Sequence, residues 1–352
     1  MRITIATGPC FPFPALQGGG MIRTWESLAK LFVQQGHQVT ILARHTPDQA
    51  REEILQGVRI LRQGGFHQHA LTPINLVRDF FYALRACPHL PEADILITND
   101  FWLPFFSPRL HASAGRVVVS VNRFPKHQLF LYSKASLLIT PSLSLLKEIH
   151  KQAPHLAQRS ACIPNPFDSE HFHLDPTAIR PPQSILYVGR IHPEKGLHIL
   201  LQAMAKIYPH FPQASLSIVG PSLAREGGGG SAYLGRLRSL ADSLPVTFLP
   251  PVYSAEKLAA IYRQHSIFCY PTLADRGEAM GIAPIEAMAC GCVPIVSRNP
   301  VFSDWLKSGQ NGWSFDHHSE HAPAAELAIR LHSLLENPNL WHTMQSSALE
   351  TE

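Results

Sequence analysis

The sequence predicts an α/β protein of two Rossmann-like domains, each built on a parallel sheet, facing each other across a cleft. Three observations predict it. The chain has 352 residues, long for one ordinary core and natural for two. Short apolar runs of strand length alternate with segments of helical periodicity, the pattern of a parallel sheet with crossover helices. That alternation stops at a stretch rich in Pro, Asp and His and then restarts.

In chain order, strands are expected at 3–6, 39–43, 95–98, 117–121 and 137–140, with helices at 21–35 and 142–152 among the segments between them. The stretch 164–183 reads as an exposed linker, because it carries few periodic apolar residues. Strands follow at 185–189, 216–219, 246–249, 267–270, 293–297 and 313–315. The tetraglycine 227–230 is expected to be a local flexible loop, since sheet-like patterning continues on both sides. The tail 322–352 reads as helical with a break at Asn337-Pro338. The domains are therefore expected at 1–168 and 169–337, with a helix at 338–352 able to pack back on the first.

Composition narrows the function classes. With 45% hydrophobic and 16% charged residues the chain has material for packed cores. Lys plus Arg number 30 against 26 Asp plus Glu, a net charge of +4, too weak and dispersed for a nucleic-acid binder. The six cysteines include no CxxC pair, so a reducing compartment and no zinc site are expected. The start MRITIATGP enters a strand pattern without the features of a signal peptide, and no apolar window reaches the roughly 18 residues of a spanning helix. The expected setting is cytoplasmic, with peripheral membrane contact left open.

Residues able to carry chemistry cluster after strands. Gly18-Gly19-Gly20 lies between the first strand and a helix start, where backbone can approach an anion; a tight turn explains it equally well. In the stretch YVGRIHPEKG, Arg190 and Lys195 emerge after a strand end, where open α/β sheets bind ligands. They could neutralise a diphosphate leaving group, or be a solvated pair. In EAMGIAPIEAMACG, Gly281 precedes a helix with Pro284 in its first turn, so amides near Met280 to Ala283 can hold phosphate. Glu286 is then placed for a ribose diol and Glu278 for sugar hydroxyls. A hydrolytic carboxylate pair would need about 5 to 10 Å between the groups; eight helical steps would rise about 12 Å, but a loop at Glu278 shortens that, so the pair is disfavoured and not excluded.

These residues resemble glycosyltransferase family 4, retaining enzymes of the GT-B fold, over nearly the whole chain. The YVGR…KG stretch is similar to the family's VGR…KG element, and Glu278 to Glu286 to its Glu-x7-Glu signature. Further similar stretches are the glycine loop before Gly36-His37-x-Val39, Ile163-Pro-Asn-Pro-Phe-Asp168 and the run Val246 to Val252. The resemblance implies that Arg190 and Lys195 contact the donor diphosphate and Glu286 the ribose. It implies that Glu278, with Ala279 and the amides of Met280, Gly281 and Ile282, contacts the transferred sugar. The loop carrying Val252 would flank the base, and Gly18, Gly19 and Gly20 would complete the donor site. Three positions depart from the family: Asn122-Arg123 where a His is common, Pro166 where Gly is usual, and Met280 where Phe is usual. Asn cannot shuttle a proton, so Asn122 is assigned a hydrogen bond to donor sugar.

The resulting expectation is retaining transfer from a nucleoside diphosphate sugar, UDP-linked by preference, to a sugar, glycolipid or small-molecule acceptor. No metal or other cofactor is expected, because no Asp-x-Asp motif stands out. The alternatives are a GT-B sugar-nucleotide epimerase or hydrolase, and a non-catalytic sugar-binding subunit. Asp100, after a strand, is read as an acceptor contact or a helix cap. The aromatics around 101–106 and 124–130 are read as acceptor-binding or core, and His127 and His192 as structural.

Overall fold

A computed structural model of the chain describes residues 1–14, 20–67, 69, 71–320 and 322–351. The chain divides by contacts into two compact units, Met1–Pro166 and Phe167–Glu352.

The first unit contains β1 (Arg2–Ala6), α1 (Gly20–Gln34), β2 (Gln38–Arg44), β3 (Glu52–Leu55), β4 (Val58–Gln63), α2 (Thr72–Ala86), β5 (Ile95–Thr98), α3 (Leu103–Leu110), β6 (Arg116–Ser120), β7 (Leu137–Thr140), α4 (Leu143–Gln152) and β8 (Ser160–Cys162). Its sheet has the order β3-β4-β2-β1-β5-β6-β7-β8, parallel except for the antiparallel β3–β4 edge. Alternate residues of one strand feed opposite cores, as a pleated strand covered on both faces requires. Ile41 and Ile97 join Trp25 and Ala29 of α1 on one side, while Leu42 and Leu96 join Tyr82, Ala83 and Phe106 on the other. Strand β1 pairs with β2 on one side and β5 on the other. The winding of the chain therefore reverses there, and the ends of β1 and β5 open a switch-point crevice.

The β3–β4 hairpin was not anticipated. Its turn has positive φ at both Gln56 (51°) and Gly57 (80°), as a two-residue hairpin turn of the right twist requires. The second position is the ordinary place for Gly, and Gln at the first hides the signal.

The second unit contains β9 (Ser184–Val188), α5 (Leu197–Ile207), β10 (Ser215–Val219), α6 (Gly230–Leu240), β11 (Val246–Leu249), α7 (Ala255–Arg263), β12 (Ile267–Tyr270), α8 (Ile282–Ala289), β13 (Val293–Ser297), β14 (Trp313–Phe315), α9 (Pro323–Glu336) and α10 (Pro338–Leu349). The sheet order is β11-β10-β9-β12-β13-β14, parallel throughout. Every residue of β12 and β13 is buried, so these strands read as continuous apolar runs. The switch point here lies between β9 and β12.

The stretch before β9 has no regular element among its described residues and is mostly exposed, as expected of a linker, but it is also fastened at Phe172 and Arg180. Phe172 is 2% exposed with its ring 5.8 Å from that of Tyr262, and Arg180 donates to the carbonyls of Cys290 (2.6 Å), Gly291 and Arg263 (3.2 Å). A guanidinium satisfying three carbonyls leaves no periodic trace in sequence. The C-terminal helix α10 packs on α8, α9 and β13 of the second unit. Trp341 Nε1 donates to the Ser266 carbonyl (2.9 Å) and Gln345 to that of Gly291 (3.0 Å). No helix of the described residues is long and apolar enough to cross a membrane.

Candidate functional site

The end of β9 and the short 3₁₀ turn Pro193–Lys195 set the first half of the site. Tyr187, buried in β9, stacks 6.0 Å from Tyr270 of β12 and donates to the Arg190 carbonyl (2.8 Å), fixing the chain as it leaves the sheet. The Arg190 guanidinium donates to Glu194 Oε1 (2.5 Å) and to the Gly227 carbonyl (2.9 Å). The tetraglycine is thus a packed support for Arg190, and not simply a flexible loop. Burial works to raise the Glu194 carboxyl, but the charges of Arg190, Lys195 and His192 outweigh it and hold the group below its usual range. Gly196 follows with φ +65°, and a Cβ there would lie 1.9 Å from the Pro271 carbonyl oxygen. Only glycine lets this turn approach the loop after β12.

Lys195 and Glu278 meet inside that contact. They are 7% and 6% exposed and form a direct ion pair between Nζ and Oε1. The same carboxylate oxygen accepts from Thr272 Oγ1 (2.9 Å) and Tyr270 OH (3.3 Å), while Lys195 Nζ donates to Tyr270 OH (3.1 Å). Burial, then the charge of Glu278, pushes the Tyr270 phenol well above its ordinary value, so it stays a hydrogen-bond donor. The reading of Arg190 and Lys195 as a solvated surface pair therefore fails for Lys195, whose ammonium is taken out of water and held by Glu278 and Tyr270. Such a charge is tolerable only with a partner in place.

Gly281, at φ +77°, starts α8, and a Cβ there would lie 2.7 Å from Phe302 Cε1. The first-turn N–H groups of Ile282 and Ala283 have no carbonyl four residues back within the helix, and Pro284 has no N–H to satisfy. The start of α8 is accordingly a place for an anion. Trp305 Nε1 holds the Met280 carbonyl at 3.0 Å, and Ala279, Met280 and Ile282 are half-buried. Glu286 lies in the second turn of α8; it is 4% exposed and accepts from Tyr262 OH (3.1 Å). Val252 is half-buried in the loop between β11 and α7.

In the first unit, Gly18 and Gly19 lie outside the described residues, and Gly20 is exposed as the first residue of α1. Asn122, just past β6, donates to Ser120 Oγ (2.7 Å), and its buried Oδ1 has no partner among the described residues. Asp100, 5% exposed just past β5, accepts from the N–H groups of Trp102 and Leu103 (3.0 Å each) and so shapes the turn that leads into α3, whose N-cap position is Trp102. Against Asp100 lies Asp79 of α2, 7% exposed, whose carboxyl is pushed up to about 9 by burial, then by the charge of Asp100 and a hydrogen bond to it. The neighbouring aromatics pack as core: Trp102 meets Phe80 edge-on at 5.3 Å and donates to the Leu76 carbonyl (2.9 Å).

Glu194, Tyr270, Thr272 and Asp79 escaped the sequence reading. Glu194 sits beside Lys195 and Thr272 at the end of a strand already assigned, so position alone offered a signal for both. Nothing local marks Asp79, which lies in a helix the apolar pattern left unassigned.

Two family models match the chain. Glycosyl transferases group 1 matches residues 173–351, and Glycosyltransferase Family 4 matches residues 18–171. The chain is 34% identical over 161 residues to a D-inositol 3-phosphate glycosyltransferase of Rhodococcus opacus (strain B4), a match covering 44% of this chain and 33% of that protein. It is 33% identical over 180 residues to a phosphatidyl-myo-inositol mannosyltransferase of Mycobacterium tuberculosis (strain ATCC 25618 / H37Rv), covering 50% and 44%. The chain thus spans about a third to under half of the length of these curated relatives. Among solved structures it is similar to sucrose-phosphate synthase from Thermosynechococcus elongatus, with TM-score 0.82 and 19% identity over 100% of this chain and 94% of that one. It is also similar to Anabaena HepE in complex with UDP-glucose, with TM-score 0.75 and 17% identity over 99% and 94%. At these identities the structures establish the fold, two parallel-sheet α/β domains of the GT-B type.

Proposed function

The chain belongs to the glycosyl transferases group 1 family, and from that premise we propose that it is a retaining glycosyltransferase using a nucleoside diphosphate sugar. The observation that carries this reading is the buried Lys195–Glu278 pair four residues before the start of α8, at the switch point of the second sheet. One group is a cation for a departing diphosphate and the other a carboxylate for sugar hydroxyls, held together until a donor separates their tasks.

On donor binding, Lys195 and Arg190 turn to the diphosphate, the α8 amides take phosphate oxygen, Glu286 takes the ribose diol, and Glu278 takes the sugar. The bond from the anomeric carbon to the β-phosphate oxygen breaks as the acceptor oxygen attacks from the same face. The acceptor proton passes to the leaving phosphate oxygen, whose growing charge the two cations stabilise. Asn122 Oδ1 is reserved for a hydrogen bond to donor sugar. No divalent ion enters this scheme, because the two cations, once turned to the donor, and the start of α8 supply the positive charge the leaving group needs.

The UDP-glucose complex of the HepE neighbour supports UDP as the nucleotide. The relatives named for inositol 3-phosphate and phosphatidyl-myo-inositol support a polyol hydroxyl, free or lipid-linked, as the acceptor. Exposed Val77, Phe81 and Leu84 on α2, spaced four and three residues apart beside Arg78 and Arg85, support peripheral membrane contact. A cytoplasmic setting fits six cysteines none of which is in a disulfide.

The test is to screen UDP-, GDP- and ADP-sugars by thermal shift, supply inositol and inositol phosphates as acceptors, and read the product anomer by NMR. Retention with acceptor-dependent donor consumption is expected, and Glu278→Gln should lower turnover by about 10²–10³. Full activity in that variant, or donor consumption without acceptor, would sink the assignment.

A further inference from the structure

We propose that Asp275, His317 and His318 form a binding site for one divalent transition-metal ion of the zinc type. None of the three is among the residues assigned to donor binding, and the inference does not rest on the function proposed for those.

Asp275 lies in the loop between β12 and α8, three residues ahead of Glu278. His317 and His318 follow β14, separated from its end by Asp316. Adjacent residues in an extended chain point to opposite sides, yet these two imidazoles converge on one carboxylate. The reason is the turn at Asp316, whose Oδ1 accepts the His318 N–H (3.0 Å) and folds the chain back. His317 Nε2 lies 2.8 Å from Asp275 Oδ1, and His318 Nε2 lies 2.8 Å from Oδ2. The ring centroids are 4.1 Å apart, and the three potential donor atoms fall within 4.8 Å of one another.

Two imidazole nitrogens and one carboxylate are a donor set for zinc, which takes such ligands at about 2.0–2.2 Å in a tetrahedron. That geometry puts donor atoms about 3.3 Å apart, so only small adjustments are needed. Both sides are held. The His317 side chain is 1% exposed, and the loop side is tied by the Asp275 N–H to the Leu273 carbonyl (3.0 Å) and by Asn299 Nδ2 to the Ala274 carbonyl (3.3 Å). Asp275 and His318 are exposed, which leaves the fourth position to water. His317 Nδ1 is buried without an acceptor among the described residues, so the outer shell is incomplete. Affinity should therefore be about 10–100-fold weaker than in a fully supported site. A bound ion would tie the loop that carries Glu278 to the end of β14.

The test is zinc binding to the full, chelator-treated chain by calorimetry, with cobalt as a spectroscopic probe and magnesium as a control. The expected result is one zinc ion per chain, a raised thermal transition with zinc but not magnesium, and visible cobalt bands of a four-coordinate site. His318→Ala, at an exposed position, and Asp275→Asn should each weaken binding at least tenfold with the fold intact. His317→Ala should do the same, and His318→Ala keeps the test decisive where truncating the buried ring disturbs folding. Absence of saturable zinc binding, or binding unchanged in His318→Ala and Asp275→Asn, would overturn the proposal.

Discussion

Lys195 and Glu278 are each more than nine-tenths buried and stand 83 residues apart in sequence. Removing one partner leaves the other charged, dry and unpaired. Lys195→Ala should therefore destabilise the second unit by about 3–5 kcal/mol in urea unfolding. Lys195→Ala with Glu278→Ala should lose less than the two single losses added, and simple additivity would contradict the pairing. Asp79 and Asp100 pose the opposite problem, two buried carboxyls in contact. Burial is the first cause raising both, and Asp79 reaches about 9. Because its folded value exceeds the unfolded one of about 3.9, its contribution is complete below that value and is lost as pH climbs toward 9. The thermal transition of the first unit should fall between about pH 4 and pH 9, and Asp79→Asn should flatten that slope. An equally steep slope in the variant would count against a shared proton. Lys195, Glu278 and Glu286 were legible because each stands at a fixed distance from a strand end or helix start. Their pairing was not, since a contact across so much chain leaves no local pattern.

The turn Pro193–Lys195 and the start of α8 decide what the site can hold. Glu194 occupies the Arg190 guanidinium through a 2.5 Å hydrogen bond, so a diphosphate must compete with a carboxylate for that cation. Glu194→Gln keeps an acceptor for Arg190 but removes the repulsion, and should tighten nucleoside diphosphate binding severalfold by calorimetry; weaker binding would show that the charge is needed to aim Arg190. Gly281→Ala puts a Cβ 2.7 Å from Phe302 at φ +77°. It should cost about 1–3 kcal/mol and weaken nucleotide binding together, because the strained residue opens the helix whose amides are proposed to hold phosphate. A variant with wild-type stability and affinity would contradict this. Most strands were readable from their apolar runs, and the break at Asn337-Pro338 from proline chemistry. The β3–β4 hairpin and the stretch before β9 were not, because one depends on a turn with Gln in a glycine-like conformation and the other on the carbonyls that Arg180 finds.

Each unit carries its candidate residues at the switch point of its own sheet, where opposite winding directions leave the strand ends uncovered. The first contributes Asp100 and, just past β6, Asn122; the second contributes Arg190, Lys195, Glu278 and Glu286. The two-domain plan could be read from the restart of the apolar alternation, whereas the placement of α10 on the second unit follows from Trp341 and Gln345 reaching carbonyls of Ser266 and Gly291. The central claim is that the second unit holds a nucleoside diphosphate through Arg190, Lys195 and the start of α8. Calorimetric titration of the full chain with UDP, GDP and ADP tests it most directly, with Arg190→Ala as the paired variant. Saturable binding of one of these, weakened at least tenfold in Arg190→Ala with an unchanged thermal transition, is the predicted result. No binding of any of the three, or equal binding by the variant, would contradict it.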